Sequence, residues 1–324
     1  MANLQFANDI LDDALFRSGE KTDGNSDFEA AALRYLNRVY AGIWMGGREL
    51  VPDIQENWNW LRKYPPGVLT LEPSIATGTV AVTNNNTAIT FSSGPTPDLD
   101  AWFFKVDTHE DVFRVSAHTA AATAATLSSV YTGITAAAAA FRVSKLEYDL
   151  ASDVLRVISP MRVFRAERWY EIHGMDLLTL DRDWPLALLE AGVPDAFALV
   201  DEDTVRFNRS GGLESTDLIR VEYDYLYRPA VLTDAATEPV VPWQWRSVLS
   251  DWVTGWIMLD KADSRAGAML DAARGGLVAM AQENRHKQQA QGAWTFGALR
   301  PRQDQYHRHV RGPLRTSSGL IISG

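Results

Sequence analysis

Three short clusters hold the residue types that most often do chemistry in proteins. His109-Glu110-Asp111 combines an imidazole with two carboxylates, and Asp201-Glu202-Asp203 offers three carboxylates in a row. His307 and His309 stand two residues apart near the C-terminus. Residues of these types can supply a general base, oxygen ligands for calcium or imidazole ligands for a transition metal.

The surroundings of each cluster favour a structural role. His109-Glu110-Asp111 lies between two strand-like runs, which favours a solvated turn. Asp201-Glu202-Asp203 lacks the alternating ligands and the turn glycine of a calcium loop, so a charged hairpin loop is the better interpretation. No further ligand type is adjacent to His307 and His309. We predict no enzyme, no metal site and no cofactor, while paired carboxylates that meet only in space stay open as a glycosidase alternative.

The composition excludes several classes of protein. The 324 residues carry a net charge of −10 and include no cysteine. An acidic body argues against a plain nucleic-acid binder, and the lack of cysteine removes disulfide scaffolds and thiolate sites. No apolar run reaches the length of a membrane span, and the acidic N-terminus lacks the basic start of a signal peptide. We therefore expect a protein made in the cytoplasm, with no membrane partner.

Helical periodicity marks residues 1–65. Apolar residues at three- and four-residue spacing predict two helices, which Gly19 and then Gly46-Gly47 can end. Asp53 predicts the start of a short third helix. The predicted apolar faces are Leu4, Ala7, Leu11, Ala14 and Leu15, then Phe28, Ala32, Tyr35, Leu36, Val39 and Ile43, then Ile54, Trp58 and Leu61.

Residues 242–293 are predicted to return to helix. Pro242 suits a first helical turn, and a second helix is expected after Asp263-Ser264 and to about Ala290. The tryptophans of the first helix could bind a sugar or a peptide, but at helical spacing they are more typical of core. The two predicted apolar faces are Trp245, Leu249, Trp252, Trp256 and Leu259, then Ala266, Leu270, Ala273, Leu277 and Met280.

The middle of the chain changes to a period of two. Short β-branched runs separated by turn signals predict an inserted small barrel or sandwich over residues 66–160. Asn84-Asn85-Asn86 is expected to be a hairpin turn. A second β-rich segment, residues 161–241, is expected to return to the helices, with DWPLALLEAG at 183–192 as a short helix or loop.

The alanine-rich stretch 119–143 is ambiguous. Alanine favours helix, whereas the interspersed Thr, Val, Ile and Tyr favour strand. No helical stripe survives, so we predict strands at ATLSSVY and AAAAFRV around a turn at Thr132-Gly133.

The last segment, residues 294–324, has no periodicity and is predicted to be an extended tail. Residues 296–324 hold five arginines and one acid, a net charge of +4, which leaves about −14 for the rest of the chain. Such a segment is typical of one that orders on a partner. The predicted fold class is thus α+β, a helical bundle formed by both termini with an inserted all-β domain and an extended C-terminal tail.

Several stretches resemble tailed-bacteriophage head-to-tail connector (adaptor) proteins. The opening NDILDDALFRSGE and DFEAAALRYLNRVYAGIW is similar to the two initial helices of that family. GTVAVTNNNTAITFSS and FRVSKLEYDLASDVLRV look like the small β module of phage structural proteins. GVPDAFALVDEDTVRFN and DLIRVEYDYLYRPAVLT resemble the strands before the final helices. The resemblance covers about residues 4–290, and its motifs are loose and not catalytic.

The resemblance implies a structural role in the neck of the virion. It implies a ring of about twelve copies beneath the portal protein, joined below to a tail or neck protein, with genomic DNA passing through unbound. A C-terminal extension that docks on the portal is also implied. In this chain the tail occupies that position, and arginines and aromatic residues are favoured interface anchors. The expected portal contacts are Trp294, Phe296, Arg300, Arg302, Tyr306, Arg308, Arg311, Leu314 and Arg315.

Three alternatives stay open. A tail or baseplate protein could carry a similar β module. A carbohydrate-binding or hydrolytic virion protein would need a cleft with paired carboxylates. A DNA-binding packaging factor would use the basic tail, and its binding would fall steeply with salt.

Overall fold

The structure, a computed structural model, describes residues 4–20, 26–158, 160–165, 168–186, 189–212, 218–233, 237–298, 314–315 and 321–322. Over these residues it has five α-helices and two seven-stranded sheets, which confirms the predicted α+β class. The helices are α1 (Ala7–Arg17), α2 (Ser26–Trp44), α3 (Leu177–Asp183), α4 (Arg246–Asp260) and α5 (Ala266–Ala298). The strands are β1 (Gly67–Leu71), β2 (Val80–Val82), β3 (Ala88–Phe91), β4 (Phe103–Val106), β5 (Phe113–His118), β6 (Ala124–Leu127), β7 (Ala136–Ala139), β8 (Phe141–Ser144), β9 (Glu147–Asp149), β10 (Val154–Val157), β11 (Met161–Arg165), β12 (Arg168–Gly174), β13 (Ala196–Leu199), β14 (Thr204–Phe207), β15 (Ile219–Tyr223), β16 (Tyr225–Tyr227), β17 (Leu314–Arg315) and β18 (Ile321–Ile322).

The chain divides into two compact units. The first consists of Met1–Trp60 and Val231–Gly324, and it contains α1, α2, α4 and α5. The second is Leu61–Ala230, and it contains α3 and strands β1 to β16. Segments from opposite ends of the sequence therefore share the first unit.

The two N-terminal helices follow most of the predicted apolar stripes. Helix α2 buries Ala32, Leu36, Val39 and Ile43, while the side chain of Phe28 lies outside the described residues and Leu4 precedes α1. The inner face of α1 buries Ala7, Leu11, Ala14 and Leu15, as predicted, and also Ile10. Both helices end at glycines with positive φ, as predicted: Gly19 has φ +76°, and Gly46 and Gly47 have φ +108° and +85°. Glycine fits these positions because it has no Cβ to clash in the left-handed region.

The predicted third helix at Asp53 is wrong. Ile54, Trp58 and Leu61 are buried as expected, but they lie on irregular chain that ends in a single 3₁₀ turn, Asn59–Leu61. The backbone of Glu56 donates to the carbonyl of Gly46 at 3.0 Å, so the segment folds back on the end of α2. This contact uses backbone groups that a helix would need for itself.

Helices α4 and α5 pack closely because glycine stands at their contact. A Cβ placed on Gly276 of α5 would lie 2.8 Å from a methyl group of Val248 in α4. A Cβ on Gly255 of α4 would lie 2.7 Å from Leu270 of α5. Helix α5 also runs further than predicted, through Ala298, because glutamine and alanine after Gln288 favour helix and an isolated glycine costs only about 1 kcal/mol.

The first sheet has the order β7-β2-β3-β6-β5-β4-β8. Only Ala140 separates β7 from β8, although these strands stand at opposite edges of the sheet. The sheet must therefore curl until its edges meet, which gives a nearly closed barrel. Its interior is a cluster of apolar side chains that includes Val80, Phe91, Trp102, Phe104 and Phe141.

The alanine-rich stretch forms strands, which confirms the prediction against helix. Strands β6, β7 and β8 come from it, and β6 alternates exposed and buried residues. The predicted simple turn at Thr132-Gly133 is only partly right, since β6 pairs with β3 and β5 whereas β7 pairs with β2. Closing the barrel requires this separation of consecutive strands.

The second sheet has the order β1-β15-β11-β12-β13-β14-β9. Strand β10 follows β9 after a short turn and pairs with β16, which follows β15 after Asp224 alone. Because β10 continues from β9 at one edge of the sheet and β16 continues from β15 next to the other edge, this pairing brings the two edges together. The second sheet therefore also nearly closes. Strands β11 to β16 lie in the stretch 161–241 that was expected to be β-rich, but α3 ends at Asp183, where the predicted short helix or loop at 183–192 begins.

Candidate functional site

The predicted portal-docking residues fall mostly outside the described part of the chain. Trp294 and Phe296 belong to the backbone of α5, so they are helical and not the start of an extended tail. Leu314 and Arg315 form β17, which pairs with Ile321 and Ile322 of β18. The residues that lie outside the description are Arg300, Arg302, Tyr306, Arg308 and Arg311, together with His307 and His309.

His109 and Asp111 meet at a hydroxyl group. The Thr132 hydroxyl donates to the Asp111 carboxylate at 2.6 Å, and Nε2 of His109 lies 3.0 Å from the same hydroxyl oxygen. The hydrogen bond from Thr132, with the nearby His109 ring, holds the pKa of Asp111 below its ordinary value. Nε2 of His109 also lies 3.2 Å from the Asp111 carboxylate, so the three side chains contact one another. The group fastens a turn, as the sequence favoured.

A cavity of about 610 Å³ lies beside this turn. The Asn84 side chain donates to the Gly133 carbonyl at 2.8 Å, and its backbone donates to the Thr135 hydroxyl at 2.9 Å. The predicted hairpin turn at Asn84 to Asn86 is confirmed, and Asn85 has φ +60°. These polar groups bond one another and so hold three loops of the first barrel together.

The acidic run at Asp201 is a hairpin turn, as predicted. Strands β13 and β14 pair antiparallel on either side of it. The Asp201 carboxylate accepts hydrogen bonds from the backbone of Asp203 at 2.9 Å and of Thr204 at 2.7 Å, and these hold the pKa of Asp201 below its ordinary value. Among the described residues, no group of three or more His, Asp or Glu side chains is placed to hold a metal ion.

The tryptophan stripe of α4 is part of the helical core. Trp252 is buried and its ring lies edge-on to Trp256 at 6.0 Å, and Tyr35 of α2 packs on the other side of Trp256 at 5.7 Å. Leu259, predicted in the stripe, is exposed because the buried face of α4 is centred on Leu249, Val253 and Ile257. Trp245, also predicted in the stripe, lies in the 3₁₀ turn Trp243–Trp245 before α4 and, like Trp256, is half-buried.

The β11–β12 hairpin presents aromatic side chains to solvent. Phe164 and Trp169 are cross-strand partners with ring centroids 5.1 Å apart, and each is 49% exposed. Tyr170, the cross-strand partner of Val163, is 48% exposed on the other face of the hairpin. The Arg162 guanidinium lies 5.6 Å from the Trp169 ring centre, within the range of a cation–π contact. We name Phe164 and Trp169, with Arg162 and the adjacent Arg168, the aromatic knob.

An apolar cavity of about 750 Å³ opens at another end of the same sheet. It lies where the chain enters β11 and leaves β12, above the end of β13. Leu199 of β13 is 46% exposed at its edge. We name this cavity the apolar cleft, and it is lined by Val157, Ile158, Pro160, Gly174, Met175, Asp176, Leu177, Phe197 and Leu199.

Sequence reasoning missed both the aromatic knob and the apolar cleft. Strand β12 went unrecognised because RWYEIHG does not alternate cleanly between apolar and polar residues. The signal that existed was the aromatic pair Trp169-Tyr170, placed a turn's length after the strand-like Val163-Phe164. Aromatic residues on both sides of a short polar turn are typical of hairpins with cross-strand ring pairs.

The sequence matches no protein-family model and no curated protein. Among the described helices, none combines the length and the apolar character that crossing a membrane requires.

Proposed function

We propose that the chain is a structural protein of a phage virion neck, a head-to-tail adaptor whose copies form a ring of about twelve beneath the portal. The observation that carries the proposal is the aromatic knob. Phe164 and Trp169 pack against each other and keep about half of their surface in contact with water although the fold has two well-filled barrel cores. Contiguous exposed apolar patches mark protein interaction sites. A protein that assembles with other copies or with partners can bury such a patch in an interface.

The proposed architecture is a helical bundle contributed by both ends of the chain, with the β domain inserted and a C-terminal tail beyond α5. Its support is the composition of the first compact unit, which takes helices from both ends. The Arg246 guanidinium of α4 donates to the Gln5 carbonyl at 2.6 Å, a bond across 241 residues. Such bonds hold the ends of the chain in one body, as a ring subunit requires.

The tail is proposed to dock on the portal protein. Its charge of +4 contrasts with about −14 for the rest of the chain, so an acidic portal surface would attract the tail and not the body. The same acidic body would repel DNA phosphates and let the genome pass without binding. The proposed partners are therefore the portal, further copies of the chain and a tail or neck protein below.

Mass photometry of portal rings from the same genome, mixed with the purified protein, tests this proposal. The full chain is compared with a 1–298 truncation, which keeps all of α5. We expect about one copy to bind per portal subunit and the truncation to lose this binding. A third chain with Arg302, Arg308 and Arg311 all changed to glutamate separates the loss of charge from the loss of length. Absence of binding by the full chain would contradict the adaptor function.

A glycan-binding virion protein is the second candidate. The cavity beside Thr132, lined by hydroxyl, amide and imidazole groups, favours it. Isothermal titration with host surface glycans separates the two functions. A heat of binding that the natural chain gives and the Asn84→Ala variant does not give would favour glycan binding. If the natural chain gives no heat of binding, the adaptor stays the better proposal.

A further inference from the structure

The aromatic knob and the apolar cleft lie at opposite ends of one β-hairpin. The knob lies toward the ends of β11 and β12 where Arg165 pairs with Arg168, whereas Pro160 and Gly174, which line the cleft, lie at the other ends of these strands. Strand β13 runs parallel to β12 and carries Leu199 further from the knob. At about 3.3 Å per residue, Trp169 and Leu199 are roughly 20 Å apart along the strands. A knob therefore cannot fill the cleft of its own chain.

The knob and the cleft are both largely apolar, so contact between them removes apolar surface from water. The knob projects two aromatic rings, and the cleft is an open, largely apolar depression of about 750 Å³. Aromatic side chains inserted in a dry pocket are the usual energetic centre of a protein interface.

The charges at the two ends also match. The knob carries Arg162 and Arg168, and the Arg162 guanidinium lies 3.5 Å from the Asp224 carboxylate. Beside the cleft, the turn after β13 exposes Asp201, Glu202 and Asp203, of which Glu202 pairs with Arg228 at 3.0 Å, and Asp176 lies in the cleft lining itself. A basic aromatic end facing an acidic apolar end favours contact between unlike surfaces and disfavours contact of either surface with itself.

We propose that copies of this chain associate head to tail, with the aromatic knob of one copy inserted into the apolar cleft of the next. Contact between two different surfaces of the same chain is heterologous, and it closes into a ring or continues as a filament according to the rotation between copies. The proposal deepens the ring part of the proposed function by naming its contact. It needs neither the portal nor the tail.

Engineered cysteines test the contact directly, because the natural chain has none to interfere. The double variant Phe164→Cys, Leu199→Cys places one thiol in the knob and one at the cleft. Disulfide formation requires Cα atoms within about 7 Å, so the two thiols of one chain cannot pair. Oxidation of the concentrated protein is expected to give a ladder of dimers, trimers and longer species on non-reducing gels.

Matched pairs supply the controls. Phe16→Cys with Leu199→Cys, and Phe164→Cys with Val68→Cys, keep one thiol of the test pair and move the other to a different exposed apolar position. Mixing the two single variants Phe164→Cys and Leu199→Cys should stop at a linked heterodimer. A control ladder as strong as the test ladder, or no test ladder, would overturn the proposal.

Further substitutions separate specific contact through the knob from non-specific association. Trp169→Ser in the test background should give about ten-fold less linked product, the loss expected for an anchor residue. Arg168→Glu should also weaken linking, and adding Glu202→Lys and Asp203→Lys should restore it. If Arg168→Glu leaves the amount of linked product unchanged, and adding Glu202→Lys and Asp203→Lys does not raise it, the proposed charge match is overturned.

The outcomes distinguish this proposal from the proposed function. A chain that binds portal rings in full number but forms no ladder, free or on the portal, would overturn the knob-in-cleft contact and keep the adaptor function. A chain that forms the ladder but never binds the portal would keep the contact and contradict the adaptor function.

Discussion

The side-chain amide of Asn284 in α5 donates to the Glu56 carboxylate at 2.9 Å, across 228 residues of sequence. Both side chains are buried. Asn284 also accepts from the backbone of Asn59 at 3.0 Å and donates to the Asn57 carbonyl at 3.1 Å. The Asn284 amide thus hydrogen-bonds three residues of the irregular segment that replaces the predicted third helix. These bonds fix that segment to α5.

Asn284→Ala should destabilise the helical unit by about 1 to 2 kcal/mol, because the buried Glu56 carboxylate, which keeps Arg285, and the partly buried Asn59 N–H each lose a partner. Urea unfolding followed by circular dichroism at 222 nm measures the change. Gln288→Ala is the control, since the exposed Gln288 makes one bond to the same Asn57 carbonyl. Equal effects of the two substitutions would mean that burial at Asn284 does not matter.

Arg246 provides a second test of how the ends of the chain are joined. Its guanidinium is buried and donates to the carbonyls of Val241, Pro239 and Gln5 at 2.9, 3.0 and 2.6 Å. Arg246→Lys keeps the charge but cannot reach several acceptors in a plane, so we expect a loss of about 2 to 3 kcal/mol. Thermal unfolding is compared with Arg274→Lys, an exposed arginine of α5. A tolerated Arg246→Lys would show that charge alone is needed.

The parts of the fold that depend on local signals were predictable. Gly19 and Gly46-Gly47 ended the first helices because a positive φ selects glycine. The Asn84 turn and the strands beside it followed from a two-residue period over a short range. The alanine-rich strands were also predictable once their polar and β-branched neighbours were weighed against helix propensity.

The parts that depend on long-range partners were not predictable. Asp53 looked like a helix cap because nothing near it shows that the chain folds back on Gly46. Strand β12 exists because β11 and β13 pair with it, and its own residues alternate poorly. The cleft is assembled from three separate stretches of sequence, so no local motif could indicate it.

Adjacent glycines of α5 should respond in opposite directions to alanine. Gly275 is exposed and a Cβ there would contact nothing within 4 Å, so Gly275→Ala should stabilise by about 0.5 to 1 kcal/mol through helix propensity. A Cβ on Gly276 would lie 2.8 Å from Val248, so Gly276→Ala should destabilise by about 1 to 3 kcal/mol.

Both variants are compared with the natural chain by urea unfolding. The double variant Gly276→Ala, Val248→Ala removes the clashing methyl groups and should recover part of the loss. Stabilisation by Gly276→Ala alone would contradict the close packing of α4 and α5.

Asp153, in the turn between β9 and β10, should make the β unit sensitive to acid. Its carboxylate accepts hydrogen bonds from the Lys63 ammonium at 3.0 Å and from the Tyr225 hydroxyl at 2.9 Å. Partial burial acts to raise the pKa of Asp153, but these two hydrogen bonds and the charge of Lys63 outweigh burial and hold the pKa below its ordinary value. The charged form is therefore favoured in the folded state.

A carboxyl whose pKa is lowered by folding adds stability above the unfolded pKa, near 3.9, and loses it as the pH falls through the folded pKa. Asp153→Asn should thus cost about 0.5 to 1 kcal/mol at pH 6, because the pair is partly exposed, and progressively less below about pH 4. Urea unfolding of both chains at pH 6 and pH 3 measures the difference, with Asp149→Asn on the neighbouring strand as the control. A cost that persists or grows at pH 3 would show that Asp153 acts through packing and not through its charge.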